Sequence, residues 1–270
     1  MPDHDIRLIA VDMDGTLLDA DGKIPTPLWE MLPRLAERDV SFVPASGRQM
    51  ATLQQAFGAA SSEMTFIAEN GAYVVRAGEE VAADVIEPAV VERAIHHLRT
   101  LVADGYDLGV VVCGKRSAYI ERTDGTFPAH AATYYAALEA VDDLLDIDDD
   151  VLKIAIYDFA PAEDSVGRAL DEIAATHRVV VSARHWADIM NPGVDKGAAL
   201  RRLQDALAIA PAQTAAFGDY LNDLEMLDAA EWSYAMQNAH PEVVARARHR
   251  APSNADHGVL TTIAQLFPAS

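Results

Sequence analysis

Five short apolar runs, Ile6 to Val11, Val40 to Ala45, Thr65 to Ala68, Thr214 to Phe217 and Trp232 to Met236, alternate with segments whose apolar residues recur at helical spacing. A strand that is apolar at nearly every position leaves no face for water, so it belongs inside a parallel sheet covered on both sides. The covers are available. Thr26 to Arg38 places Leu28, Met31, Leu32 and Leu35 on one helical face, and Gln49 to Phe57, Lys196 to Ile209 and Asn222 to Ala229 are further helical segments. The order predicts an α/β fold with a doubly wound parallel sheet.

Between roughly Glu80 and Ala187 the texture changes. The pattern predicts a helix over Pro88 to Ala103, two strands joined through Gly114 to Ser117, a helix over Ala129 to Leu145 and a strand over Val151 to Phe159. A helix over Ala162 to Thr176 and strands around Val179 to Ala183 and Ala187 to Met190 complete the region. This reads as an α+β unit inserted into the outer fold, so the chain divides into residues 1–80 plus 190–270 and an inserted 81–189. The acids Asp142, Asp143, Asp146, Asp148, Asp149 and Asp150 lack the central Gly and terminal Glu of a calcium loop and read as a solvated helix end and turn. Arg246, Arg248, His249 and Arg250 read as a solvated helix end as well.

Composition limits the partners. Of 270 residues, 21 are Lys or Arg and 42 are Asp or Glu, giving 21 − 42 = −21 at pH 7. Nucleic acid and anionic membranes are held mainly by basic side chains, so neither is an expected partner. No apolar run approaches the ~20 residues that span a bilayer. The start of the chain (Asp3, His4, Asp5, Arg7) lacks a basic region followed by a long apolar stretch. A cytoplasmic protein is expected. The single cysteine, Cys113, lies in an apolar run and reads as a buried strand thiol. A monomer or a small homo-oligomer fits equally.

The chemistry concentrates where the apolar runs end. Asp12-Met13-Asp14-Gly15 follows the first, and acids two apart on extended chain project to one side, at the sheet edge where open α/β folds bind ligands. Two such acids need a compensating charge, and magnesium, which prefers oxygen ligands, supplies it well; taken alone, Asp14-Gly15 reads equally as a turn signal and Asp12 as a cap. Ser46-Gly47-Arg48 follows the second run, where a hydroxyl and exposed amides suit an anion. Lys196 opens a helix, adding a full charge to the partial one of its N-terminus. Asp219, Asn222 and Asp223 close the run ending at Phe217.

These four loops, in this order, resemble the haloacid dehalogenase superfamily. Asp12 to Thr16 looks like its first motif, Ser46 its second, Lys196 its third and Gly218 to Asp223 its fourth. Glu69-Asn70-Gly71-Ala72, Asn191-Pro192-Gly193, Met236-Gln237-Asn238-Ala239 and Ser253-Asn254-Ala255-Asp256-His257-Gly258-Val259 resemble segments of the Cof-type hydrolases, which carry a type IIB cap between motifs two and three. Tyr220 and Gln237 depart from the Gly that many relatives carry, and neither replaces a reacting group.

The resemblance implies a Rossmann-like core with an inserted cap and a magnesium-dependent phosphatase of small phosphorylated metabolites, such as sugar phosphates or phosphorylated cofactors. It assigns Asp12 as nucleophile, passing through an aspartyl-phosphate, and Asp14 as the acid and base. Mg2+ would be held by Asp12, the Asp14 backbone carbonyl, Asp219 and Asp223, the last in the first or second ligand shell. Ser46, Gly47, Arg48, Lys196 and Asn222 would bind substrate, with Arg48 equally readable as a surface ion pair. An acid at Asp14 favours phosphoester chemistry over dehalogenation, because a leaving halide needs no proton. The rivals are a phosphomutase of the same superfamily, a metal-dependent glycosyltransferase built on a DxD motif, and an idle metabolite-sensing module. His130, Tyr134, Tyr135, Arg184, His185 and Trp186 are read as packing or surface groups.

Overall fold

The computed structural model describes residues 5–268; Asp3 and His4 of the N-terminal reading lie outside them. The chain forms two compact units, one of residues 1–47, 56–82 and 195–270, the other of residues 48–55 and 83–194.

The first unit is built on an eight-stranded sheet. Leu8–Asp12 lies near its centre, between Ser41–Ala45 on one side and Thr214–Gly218 on the other. Trp232–Met236 and His249–Ala251 extend one wing, and Thr65–Ala68 begins the other. All six of these strands are paired parallel. Their carboxyl ends therefore share one edge, which is why loops far apart in sequence can meet there. Only the outer wing reverses, where Tyr73–Arg76 pairs antiparallel with Thr65–Ala68. Leu8, Ala10, Val43, Ile67 and Ala216 meet Leu200 and Leu203 of the helix Lys196–Leu207 in one buried cluster. Near-continuous apolar strands are what this two-sided burial requires.

The second unit holds a six-stranded sheet in which Val151–Asp158 is paired antiparallel with both Leu108–Gly114 and Trp186–Met190. The helix Pro88–Ala103 buries Val91, Ala94, Ile95 and Leu98 against one face. Cys113 is buried in a strand, as its apolar run suggested.

Two predicted helices of this unit are replaced by other structure. Over Ala129 to Leu145 there is instead a short helix Phe127–Ala132, a strand Leu138–Ala140 parallel to Ala118–Ile120, and a turn at Leu144–Asp146. The cause is a captured backbone. Gln49 accepts from the Ala137 N–H (3.0 Å) and donates to the Ala137 carbonyl (2.9 Å), while Thr52 donates to the Tyr134 carbonyl and accepts from the Ala136 N–H. A backbone satisfied by side chains has no need of helical bonds. Over Ala162 to Thr176 only Val166–Ala169 and Asp171–Ala174 are helical; Asp158 takes the amides of Ala160 and Val166, and Ser165 is non-helical.

The acidic run is a turn rather than a helix end, with Asp142, Asp146, Asp148 and Asp150 exposed as expected, but Asp143 and Asp149 are engaged. Asp143 pairs with Arg99 and caps Leu145, and the Asp149 carboxylate accepts from the Arg116 N–H and the Tyr119 hydroxyl. Arg246 and Arg248 are ion-paired to Asp228 and Glu231. Among the described residues no helix is long and apolar enough to cross a membrane.

Candidate active site

The carboxyl edge of the first unit's sheet brings Asp12, Asp219 and Asp223 together, with one carboxylate oxygen of each within 4.8 Å of the others. Asp12 is the last residue of the central strand. After it Gly15 turns the chain at φ +79°, and a Cβ there would lie 2.3 Å from an Asp219 oxygen, so only glycine allows the two loops to approach this closely. Thr16, in the same turn, donates to Asp219 Oδ1 at 2.9 Å. Asp223 accepts the backbone N–H of both Asp219 and Tyr220, which folds the fourth loop around its carboxylate.

Lys196 ties the set together. Its Nζ lies 2.5 Å from Asp12 Oδ1 and 2.7 Å from Asp223 Oδ1, with the side chain 1% exposed. It is the first residue of its helix, behind Asp195, whose carboxylate caps the Ala198 N–H. Asp12 and Asp223 hold the ammonium, and Asn222, expected at the substrate, donates to Asn70 at 3.4 Å.

The electrostatics follow from burial. Loss of water pushes the Asp12 carboxyl well above the usual carboxylate range, and the Asp223 charge adds to it while Lys196 opposes. Burial also raises Asp219, against the hydrogen bond from Thr16. For Lys196 burial works against the charge, but Asp12 and Asp223 outweigh it and hold the ammonium above its ordinary value. The lysine is a cation, and three carboxylates set against it leave the cluster short of positive charge. An oxygen-only donor set with excess negative charge suits a hard divalent cation such as Mg2+.

The other expected residues follow the ends of two neighbouring strands, Leu8–Asp12 and Ser41–Ala45. Asp14 is exposed, in the turn that follows Asp12. Ser46 is buried; its carbonyl accepts from the Asn70 N–H, and Gly47 lies against the Asn70 side-chain amide. Arg48 is half-buried and is the first residue of the second unit. Thr16 and Asn70 were missed as site residues. Asn70 carried a signal, since an Asn before Gly marks a backbone turn, and it stands at φ +55°.

The family model for haloacid dehalogenase-like hydrolases matches residues 9–263. The chain belongs to this family. The Cof-type resemblance read from its motifs is in keeping with that membership. A relative in Escherichia coli, 5-amino-6-(5-phospho-D-ribitylamino)uracil phosphatase YbjI, is 35% identical over 261 residues, covering 96% of this chain and 95% of its own. The HMP-PP phosphatase of Citrobacter koseri is 28% identical over 258 residues, covering 90% and 88%. A solved structure from Streptococcus mutans superposes with a TM-score of 0.84 at 26% identity over 98% of this chain and 100% of its own.

Proposed function

We propose that the protein is a magnesium-dependent phosphatase of small phosphorylated metabolites that works through an aspartyl-phosphate on Asp12. The observation that carries this reading is the buried Lys196 ammonium on Asp12 and Asp223, with Asp219 completing a three-carboxylate cluster. Two relatives named as phosphatases support the substrate class.

Asp12 Oδ attacks phosphorus, and the bond from phosphorus to the leaving oxygen breaks while Asp14 gives that oxygen its proton. Asp14 then takes a proton from a water whose oxygen attacks phosphorus, and the Asp12 oxygen-to-phosphorus bond breaks. The products are an alcohol and inorganic phosphate, and both aspartates return to their starting state. Lys196, the Ser46 hydroxyl, the Gly47 N–H and Asn222 bind the phosphoryl oxygens, with Arg48 as a further contact to substrate. Asp12, Asp219, Asp223 and the Asp14 carbonyl would hold Mg2+, which would supply positive charge against the phosphoryl oxygens. The inserted 81–189 region serves as the cap that selects substrate.

Phosphate release from a panel of phosphorylated metabolites, including 5-amino-6-(5-phospho-D-ribitylamino)uracil, the compound in the Escherichia coli relative's name, tests the proposal. Expected is Mg2+-dependent release of free phosphate that EDTA stops. Isomerised sugar phosphate with no free phosphate would overturn it in favour of a phosphomutase.

A further inference from the structure

The segment Asn238 to His240 touches both acid-bearing loops of the site. The Asn238 Nδ2 donates to the Gly15 carbonyl at 2.8 Å, and the His240 N–H donates to the Asp219 carbonyl at 2.8 Å. Gly15 sits between Asp14 and Thr16, and Thr16 donates in turn to Asp219. Three hydrogen bonds thus link the first loop, the fourth loop and this segment.

The orientation of the Asn238 amide is set from outside. The Asn254 N–H donates to Asn238 Oδ1 at 3.2 Å, so the oxygen faces Asn254 and the NH2 group faces Gly15. Asn254 is held in place by its own Nδ2, which donates to the Leu18 carbonyl at 2.9 Å, just past the same turn. The Gly15 carbonyl fixes the plane of the peptide that follows Gly15. With φ +79° and ψ −5°, Gly15 turns the chain immediately after Asp14, so holding this peptide anchors the C-terminal side of the turn that carries Asp14.

We infer that Asn238, oriented by Asn254, is a positioning residue that aims Asp14 at the leaving oxygen. The inference rests on the phosphatase reading. Asn238 touches neither the reacting atoms nor the three clustered carboxylates; it acts through the Gly15 carbonyl.

The role has a signature that general loss of structure lacks. A p-nitrophenolate leaving group is stable without a proton, whereas an alkoxide is not, so misplacing the acid slows an alkyl phosphate more than p-nitrophenyl phosphate. Asn238→Asp keeps the shape but faces the Gly15 carbonyl with an acceptor in place of a donor. Asn238→Ala only deletes the bond. The expected order of kcat is parent, then Ala, then Asp, with Asp down about 10-fold or more on the ribitylaminouracil phosphate and only a few-fold on p-nitrophenyl phosphate. Asn254→Ala, which keeps its backbone N–H, should show a weaker form of the same selectivity.

Melting temperature and its rise on adding Mg2+ are read alongside, and both should stay near the parent's for Asn238→Ala. Equal losses on the two substrates, or an Asp variant as active as the Ala variant, would overturn the inference while leaving the phosphatase reading standing. A parent protein that releases phosphate from neither substrate would overturn both.

Discussion

Lys196 Nζ sits 2.5 Å from Asp12 Oδ1, a contact between residues 184 positions apart that is shut off from water on the lysine side. The same ammonium reaches Asp223, so one cation is shared by two buried carboxylates. Removing it strands both. Lys196→Met is therefore expected to lower stability by about 3–5 kcal/mol, the cost of leaving a buried charge without its partner, and to abolish turnover. Urea unfolding measures the first and phosphate release the second; a variant of unchanged stability would show that the carboxylates do not depend on the lysine.

Asp12→Asn should remove nearly all turnover and leave the fold intact. The amide fills the same space and can still accept from Lys196, yet it cannot attack phosphorus. Circular dichroism together with phosphate release checks this, and parental activity in the variant would remove Asp12 as nucleophile.

Divalent metal should stabilise the folded protein. Three carboxylates balanced by one ammonium favour a bound cation, and a ligand at 100 times its Kd adds about 2.7 kcal/mol. The melting temperature should rise on adding Mg2+ and fall back on adding EDTA, with Asp219→Asn reducing the shift. No shift with the parent protein would contradict metal binding at this cluster.

Gly71 lies directly against the start of the Lys196 helix. It stands at φ +103°, and a Cβ there would lie 2.2 Å from the Asp195 carbonyl, immediately before Lys196. Gly71→Ala should cost about 1–3 kcal/mol in backbone strain alone, and should also lower activity by pushing Asp195 and Lys196 outward. Thermal unfolding and kcat test the two effects separately.

Tyr119 provides a pH probe away from the site. Its hydroxyl donates to Asp149 at 2.9 Å, and burial together with that carboxylate pushes its pKa up to about 12. An unfolded tyrosine titrates near ~10. The folded state therefore prefers the protonated phenol, and this stabilisation is complete below about pH 10 and lost as pH rises through the folded value. In a phenolate absorbance titration Tyr119→Phe should delete one of the late steps. Ionisation of every tyrosine near pH 10 in the folded protein would contradict it.

Much of this was legible because it is local. Apolar runs fixed the strands Thr65–Ala68 and Trp232–Met236 to the residue, and the helix Pro88–Ala103 with them. The acids, the lysine and the hydroxyl could be placed at strand ends and helix starts from their neighbours alone. The region from Ala129 to Leu145 was misread because its backbone partners are the side chains of Gln49 and Thr52, more than 80 positions earlier. No window of local sequence contains them.

By itself the sequence determined which groups stand at the edge of a parallel sheet, since periodicity and turn residues act over a few positions. Only the tertiary structure decided which of them touch. Parallel pairing of Ser41–Ala45, Leu8–Asp12 and Thr214–Gly218 sets their carboxyl ends side by side. Packing of the helix Lys196–Leu207 against that sheet then delivers one ammonium to Asp12 and Asp223 and leaves Asn222 to Asn70. Hydrogen bonds act over about 3 Å, and that distance is fixed by strand order and helix packing, which chain neighbours do not encode.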